Sequence, residues 1–228
     1  MSTADAPRVL LVDDHALLSE SLAVALRAEG LTADVADLSS REELVAAVTA
    51  DPPDLVLLDL ELGGEIGDGS TLVRPFVRAG ARVLVVSASR RRAQIGTAVE
   101  QGAVGYVPKS TPFGDLLQTV LAAARGLTVM TPEQRQSLLK DLYAARERQA
   151  AALEPFERLT AREQQVLREL GNGKPVATIA AEWFVSEATV RTQVRGVLMK
   201  LGVTSQLEAV AQALRAGWLG DARRRGNG

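Results

Sequence analysis

The chain contains no cysteine and only one histidine among its 228 residues. Disulfide bonds, thiolate metal sites and cysteine nucleophiles are therefore excluded, and a zinc site built from several histidines lacks ligands. The sequence also lacks a run of about 18 apolar residues that would span a bilayer, and it does not begin with a basic segment followed by an apolar one. We therefore expect a cytoplasmic protein without a membrane span.

The residues that are present indicate two domains with different partners. The apolar fraction of 46% is sufficient for a hydrophobic core, and the net charge is only −2. That charge is unevenly distributed, since residues 1–127 carry 11 Lys/Arg against 17 Asp/Glu, whereas residues 157–228 carry 11 against 7. An acidic first part and a basic last part suggest that the second domain binds a polyanion.

The apolar run from Asp54 to Leu60 lies between Pro52-Pro53 and Gly63-Gly64. A short run between turn residues predicts a strand buried on both faces. Asp59 falls at its carboxyl end, the edge at which open α/β sheets bind their ligands. This run alone is also consistent with an aspartate that caps a turn.

Strand-like and helical segments alternate along the first half of the chain. Strands are predicted at 8–12, 32–36, 54–60, 82–87 and 104–107, and helices near 15–29, 40–48, 70–79, 90–101 and 111–126. This alternation predicts a parallel sheet covered by helices on both faces, although periodicity does not give the strand order.

Polar side chains follow the ends of several predicted strands: Asp13, Asp14, Asp59, Ser87 and Lys109. In a parallel sheet these ends share one edge, so the side chains are expected to converge. Three carboxylates favour Mg²⁺, and an ammonium and a hydroxyl beside them suit transfer of a phosphoryl group to a carboxylate. A nucleotide-binding fold is disfavoured, because no glycine-rich phosphate loop follows any strand.

Four motifs in this order resemble the receiver domain of bacterial two-component response regulators: Val12-Asp13-Asp14-His15, Leu58-Asp59-Leu60, Val86-Ser87-Ala88 and Tyr106-Val107-Pro108-Lys109. The resemblance covers about residues 8–126. It implies an α/β flavodoxin-like fold with strand order 2-1-3-4-5 and Asp59 as the phosphoacceptor. It further implies that Asp13 and Asp14 hold Mg²⁺ together with Asp59 and the backbone carbonyl of Glu61.

The resemblance assigns three more residues to the switch. Lys109 would pair with the phosphoryl group, Ser87 would move to hydrogen-bond it, and the ring of Tyr106 would follow Ser87. We expect His15 to begin a helix rather than to bind the metal. The loop from Glu61 to Gly69 departs from the family, because it lacks the usual proline and has about two extra residues.

A linker helix is predicted from Thr131 to about Ala152, with Pro155 ending it. Its apolar stripe would pack either on the first domain or on a second copy of itself. The stripe consists of Leu138, Leu139, Leu142 and Tyr143.

From Leu159 onward the pattern is entirely helical, with N-cap residues at Thr160, Ser186 and Ser205. Two short helices followed by one with a basic face are typical of a helix-turn-helix. The segments Leu159–Leu167, Ile179-Ala180 and Val185–Val194 resemble the LuxR-type helix-turn-helix of the NarL/FixJ subfamily over residues 157–219. We predict a receiver domain at 1–127, a linker helix at 128–156, an all-α four-helix DNA-binding domain at 157–220 and a disordered basic tail at 221–228.

The third helix of the second domain, predicted from Glu187 to Leu201, is the candidate recognition helix. Its buried side is predicted to consist of Val190, Val194, Val197, Leu198 and Leu201. Its polar side would present Arg191, Thr192 and Gln193 to the major groove, where Arg191 could either read guanine or hold a phosphate. Arg195 and Lys200 are expected on phosphates. Trp183 and Phe184, in the preceding turn, are expected in the core.

The last helix, from Leu207 to Leu219, is expected to expose Val210, Ala213, Leu214 and Trp218. In the resembled family this helix carries the contact between DNA-bound subunits. The resemblance therefore implies a homodimer on an inverted-repeat DNA site.

Taken together, we expect a transcription factor rather than an enzyme, switched by a sensor histidine kinase that phosphorylates Asp59. RNA polymerase is a further candidate partner. Two alternatives remain open. The altered loop would suit a regulator that binds DNA without phosphorylation. A phosphatase with an Asp nucleophile would need a second Asp two residues later, where this chain has Glu61.

Overall fold

A computed structural model describes residues 6–220 of the chain, so the predicted tail at 221–228 lies outside the described residues. The chain divides into two compact units, residues 1–144 and 145–228. The boundary falls inside one long helix, within the segment where the sequence predicts a linker.

The first unit contains one five-stranded parallel sheet. Its strands are β1 (Arg8–Val12), β2 (Thr32–Val35), β3 (Leu55–Leu58), β4 (Arg82–Ser87) and β5 (Gly105–Pro108). Their order is β2-β1-β3-β4-β5, which confirms the order implied by the family resemblance. The helices between and after them are α1 (Ala16–Ala28), α2 (Arg41–Ala50), α3 (Ser70–Ala79), α4 (Arg92–Glu100) and α5 (Phe113–Ala124).

Strand β3 is buried along its whole length because a hydrophobic core lies on each face of the sheet. Val56 and Leu58 belong to the core that also contains Phe76. Leu55 and Leu57 belong to the opposite core. The continuous apolar run is therefore explained by a central strand with no solvent-facing side.

Helix α6 (Pro132–Glu157) continues through Pro155, so the prediction that this proline ends the helix is wrong. A proline lacks one N–H donor, and near the end of a helix this removes only one hydrogen bond. The next residue, Phe156, is fully buried, and its ring stacks on Trp218 with centroids 5.2 Å apart. This packing holds the last turn of α6 against the other helices of the second unit, to which it belongs.

The second unit adds four helices: α7 (Ala161–Gly171), α8 (Val176–Glu182), α9 (Glu187–Leu201) and α10 (Gln206–Arg215). The predicted N-caps are present, since the side chains of Thr160, Ser186 and Ser205 each accept a hydrogen bond from a backbone N–H three residues later. Such caps satisfy donors that the first turn of a helix leaves unpaired.

The turn between α8 and α9 contradicts one expectation about the core. Trp183 is half-buried, with the guanidinium of Arg162 at 3.6 Å from its ring centroid. Phe184, however, is 96% exposed, so its prediction as a core residue is wrong. Its backbone is left-handed, with φ 55°, and this reversal directs the side chain out of the turn.

Candidate functional site

Asp59 immediately follows β3 and is only 1% exposed. Its backbone N–H donates to the carbonyl of Val12 at 2.9 Å, which continues the pairing of β3 with β1 by one residue. This bond to β1 places the Asp59 carboxylate at the carboxyl edge of the sheet.

Three donors converge on this carboxylate. The hydroxyl of Ser87, at the end of β4, donates to Asp59 Oδ1 at 2.6 Å. The ammonium of Lys109, just after β5, donates to Oδ2 at 2.6 Å. The backbone N–H of Glu61 also donates to Oδ1, at 3.1 Å. The predicted convergence at the sheet edge is therefore present in the structure.

Burial raises the pKa of the Asp59 carboxyl, but the hydrogen bonds from Lys109, Ser87 and the Glu61 N–H outweigh it. The net effect is a pKa below the ordinary value for aspartate. Asp59 is thus a buried carboxylate held in its ionised form, which is the form that can act as a nucleophile.

An acidic cluster surrounds Asp59. One ligand atom from each of Asp13, Asp14, His15 and Asp59 lies within 4.8 Å of the others. Lys109 Nζ bridges the cluster, since it also donates to Asp13 Oδ1 at 2.7 Å. The oxygens of three carboxylates fit a hard cation such as Mg²⁺, which accepts few protein ligands and keeps several waters.

His15 occupies the position before α1, as expected, but its side chain makes no cap hydrogen bond to the helix. Its Nδ1 instead lies 2.9 Å from Asp14 Oδ1 and 3.0 Å from Lys109 Nζ. The imidazole therefore belongs to the polar cluster, which the sequence alone did not predict.

The loop from Glu61 to Gly69 is folded into the first unit. Leu62 and Ile66 are both 4% exposed and join the core beneath β3. A Cβ on Gly69 would lie 2.0 Å from the backbone oxygen of Asp59, so the loop returns directly against Asp59. The sequence singled out the loop for its length but missed this contact, which depends on the path of the backbone.

A hydrogen-bond network extends from the Asp59 cluster into α4. The backbone N–H of Ser89 donates to Ser87 Oγ at 3.3 Å, and Ser89 Oγ donates to Gln94 Oε1 at 2.9 Å. Gln94 Nε2 in turn donates to Asp68 Oδ1 at 3.0 Å, and the hydroxyl of Tyr106 donates to the carbonyl of Ser89 at 3.2 Å. Ser89, Gln94 and Asp68 were not predicted as site residues.

In the second unit, α9, the candidate recognition helix, has the predicted two faces. Val190, Val194, Val197 and Leu201 are buried and Leu198 is half-buried, whereas Arg191, Thr192 and Arg195 are exposed and Gln193 is intermediate. Arg191 pairs with Glu187 one turn earlier, at 2.9 Å, on the solvent side. An exposed pair of this kind is weak, so Arg191 can exchange it for another anion.

Lys200, also predicted to face DNA phosphates, lies in a different environment. Its ammonium donates to Glu163 Oε2 at 2.6 Å, and its side chain is only 27% exposed. Burial raises the pKa of Glu163, but the bonds from Lys200 and Thr160 outweigh it and lower the pKa below its ordinary value. Lys200 thus joins α9 to the N-terminus of α7.

The last helix exposes less apolar surface than expected. Ala213 is fully buried, and Val210 and Trp218 are half-buried against the core of the second unit, so their predicted free exposure is wrong. Leu214 is 59% exposed as expected, and Leu207, seven residues earlier, is 79% exposed. The helix packs more of its apolar side onto its own unit than the sequence indicated.

Comparison with known proteins identifies the family. Residues 9–121 match the response regulator receiver domain, and residues 157–213 match the LuxR family of bacterial regulatory proteins. The chain is 33% identical over 208 residues to the probable transcriptional regulatory protein NarL of Mycobacterium tuberculosis, covering 91% of this chain and 94% of that protein. The chain belongs to the NarL/FixJ family of response regulators.

Other response regulators have similar sequence identity to this chain and similar coverage of it. The nitrate/nitrite response regulator protein homolog of Haemophilus influenzae is 31% identical over 205 residues, which cover 90% of this chain and 95% of that protein. Among solved structures, the response regulator ChrA of a heme-sensing two-component system is 29% identical and covers 92% of this chain and 97% of its own, with a TM-score of 0.42.

This response regulator is therefore a transcriptional regulator of the two-component type, with a receiver domain and a LuxR-type DNA-binding domain. The family resemblance seen in the sequence motifs is confirmed. Its family is one of transcription regulators. Within residues 6–220, no helix is long and apolar enough to cross a membrane.

Proposed function

We propose that this response regulator is switched by transfer of a phosphoryl group from a sensor histidine kinase to Asp59. The observation that carries the proposal is the geometry around the buried carboxylate. Ser87 Oγ lies 2.6 Å from Asp59 Oδ1, and Lys109 Nζ lies 2.6 Å from Asp59 Oδ2. A serine hydroxyl and an ammonium are suited to bind the oxygens of a phosphoryl group on Asp59.

In the proposed reaction, a carboxylate oxygen of Asp59 attacks the phosphorus of a phosphohistidine on the kinase. The new P–O bond forms as the P–N bond breaks, and the released imidazole regains a proton from solvent when it is not already protonated. Asp13, Asp14, Asp59 and the backbone carbonyl of Glu61 would hold Mg²⁺, which neutralises charge on the phosphoryl oxygens. Lys109 supplies a second positive charge from its position between Asp13 and Asp59.

The same contacts provide a route for the signal to leave the site. When Ser87 turns to bond a phosphoryl oxygen, it gives up its bond to Asp59 and changes its contact with the N–H of Ser89. Tyr106 is hydrogen-bonded to the carbonyl of Ser89, so its ring position depends on that loop. Phosphorylation would then shift the population between two arrangements of Ser87, Ser89 and Tyr106.

The output of the switch is DNA binding by α9. Arg191, Thr192 and Gln193 are proposed to read base edges, and Arg195 is proposed to contact phosphate. Lys200 was predicted as a second phosphate contact, but its pairing with Glu163 favours a role in positioning α9. The contact between Lys200 and DNA is therefore not part of the proposal.

We also propose that the active form is a homodimer on an inverted-repeat site, with α10 at the interface. Leu207 and Leu214 provide exposed apolar surface. Val210 and Trp218 are half-buried in the core of the second unit, so only part of each side chain is available for the interface. A self-complementary patch on one helix suits the twofold symmetry of an inverted repeat.

The test is a gel shift with promoter DNA, with and without acetyl phosphate and Mg²⁺. Wild type is compared with Asp59→Ala and with Asp37→Ala, which removes an exposed aspartate far along the chain from the motifs. We expect DNA binding to tighten on phosphodonor treatment in wild type and Asp37→Ala but not in Asp59→Ala. Equal binding in every lane would instead favour a regulator that binds DNA without phosphorylation.

A further inference from the structure

The most exposed large apolar side chain of the described residues belongs to Phe184, which is 96% exposed. Within residues 6–220, Phe184 is also the only residue other than glycine with a positive φ, 55°. Two unfavourable features therefore coincide at one position, an aromatic ring in water and a left-handed backbone.

Local structure explains the conformation but not the residue. The backbone N–H of Phe184 donates to the carbonyl of Ala181 at 3.2 Å, and that of Val185 donates to the carbonyl of Ala180 at 3.0 Å. These bonds close the end of α8 in the way that a left-handed residue does after many helices, where glycine is usual because it has no Cβ. Glycine or asparagine would make the same turn with less strain, so neither stability nor burial accounts for a phenylalanine here.

The position of this residue in the motif does suggest a role. The turn joins α8, the first helix of the helix-turn-helix, to α9, the recognition helix. In such motifs the first helix crosses the DNA backbone and the N-terminal part of the second enters the major groove. Phe184 lies two residues before Ser186, the N-cap of α9. Its ring is therefore carried to the edge of the groove in which Arg191 would read bases.

We propose that Phe184 contacts the 5-methyl group of a thymine at the edge of the major groove. That methyl is the apolar group that the major groove presents, and apolar side chains, including phenylalanine, recognise it. Binding would remove the exposed ring from water, which would offset the cost of holding it there in free protein. The contact adds a thymine preference beside the bases read by Arg191, Thr192 and Gln193. It rests on the proposed DNA-binding function.

The experiment is selection from a random duplex DNA library by the full-length protein, treated with acetyl phosphate and Mg²⁺. Wild type is compared with Phe184→Gly and Phe184→Asn, both compatible with the left-handed turn. Met199→Ala is the matched control, since it removes another exposed apolar side chain, 76% exposed, from the C-terminal half of α9. We expect wild type and Met199→Ala to select a thymine at one position of the site. Both Phe184 variants should show no preference for thymine at that position.

The Phe184 variants should therefore lose DNA affinity without losing thermal stability. We expect the Phe184 variants to bind the selected wild-type site about five- to tenfold more weakly, the lower range for losing one base contact. Their thermal unfolding midpoints should be equal to or higher than that of wild type, because the strain at the turn is relieved. A loss of binding accompanied by a lower midpoint would overturn the proposal, since disruption of the fold would then explain it.

Replacing the selected thymine with uracil, which lacks the methyl group, is the decisive step. Uracil should weaken wild-type binding and leave binding by Phe184→Gly unchanged. The proposal would be overturned if uracil weakened DNA binding equally in wild type and Phe184→Gly, or if it weakened binding in neither protein. Unchanged DNA affinity of the variants together with reduced transcription would also overturn it and point to a protein partner. Failure of wild type to select any sequence would overturn the DNA-binding function as well.

Discussion

The backbone oxygen of Leu138 lies 2.5 Å from the point that a Cβ on Gly96 would occupy. The first half of α6 therefore packs against α4 with no room for a side chain between them. Arg92 of α4 bonds Asp141 and Ser137, and Arg135 of α6 donates to the carbonyl of Val99 in the last turn of α4, at 3.0 Å. The sequence left open whether this helix packs on the first domain or on a second copy of itself. In the structure, its first half packs on α4 of the first domain.

Gly96→Ala is expected to destabilise the first unit, because the added methyl must displace either the Leu138 carbonyl or the Leu142 side chain. Overpacking of this kind costs about 1–3 kcal/mol. Gly114→Ala is the matched control, since a Cβ on this helical glycine meets nothing within 4 Å. Urea unfolding measures the difference. If the two variants were equally stable, α6 would not lie as close to α4 as described.

Gly69→Ala is expected to slow phosphorylation of Asp59. A Cβ at this position would lie 2.0 Å from the backbone oxygen of Asp59, so either the loop or Asp59, the proposed phosphoacceptor, must move. Displacements of about 1 Å at a reacting group reduce rates by on the order of 10²-fold. The measurement is the initial rate of labelling by a radioactive phosphodonor, with circular dichroism to establish folding. A folded variant labelled at the wild-type rate would contradict the prediction.

Arg195 and Lys200 should affect DNA binding differently. Arg195→Ala is expected to reduce the salt dependence of binding by about one phosphate contact, a change of roughly 0.9 in the slope of log K against log salt concentration. Lys200→Met should leave that slope nearly unchanged and lower the stability of the second unit, because it leaves Glu163 without its ammonium partner. Binding isotherms at several salt concentrations test both variants, and a reduced slope for Lys200→Met would restore its role as a phosphate contact.

Glu163 should make the stability of the second unit dependent on acid pH. Its pKa in the folded protein lies below the ordinary value, which is about 4.3 in an unfolded chain. The ionised carboxylate therefore stabilises the fold above that pH, and this stabilisation is lost as the pH falls through the lower, folded-state pKa. At neutral pH, Glu163→Gln should cost roughly 1–3 kcal/mol of unfolding free energy.

The pH dependence distinguishes this carboxylate from others on the same unit. In urea unfolding at a series of pH values from about 7 downward, the difference between wild type and Glu163→Gln should shrink as the pH falls through the folded-state pKa of Glu163, because protonation makes that side chain neutral like glutamine. Glu187→Gln serves as the control, because Glu187 pairs with Arg191 on the solvent side. A constant difference at every pH would mean that the substitution acts through packing rather than charge.

Sequence patterns predict this structure best where the deciding interactions are local. N-caps at Thr160, Ser186 and Ser205 bond backbone groups three residues away, so their patterns predict helix starts directly. Uninterrupted apolar runs predicted the buried strands, and strand ends predicted that Ser87 and Lys109 would meet Asp59. The strand order came from the family resemblance, since periodicity carries no information about which strands are neighbours.

By itself, then, the sequence determined the element pattern, the family and the group of polar residues at the sheet edge. Only the tertiary structure decided that Lys200 pairs with Glu163, 37 residues away, and that Gly69 must be a glycine because the loop returns onto Asp59. Pro155 remains helical because Phe156 packs on Trp218, again a distant partner. The physical reason is the same in each case: the free energy that fixes these residues comes from contacts between segments far apart in the chain, and a local pattern does not contain them.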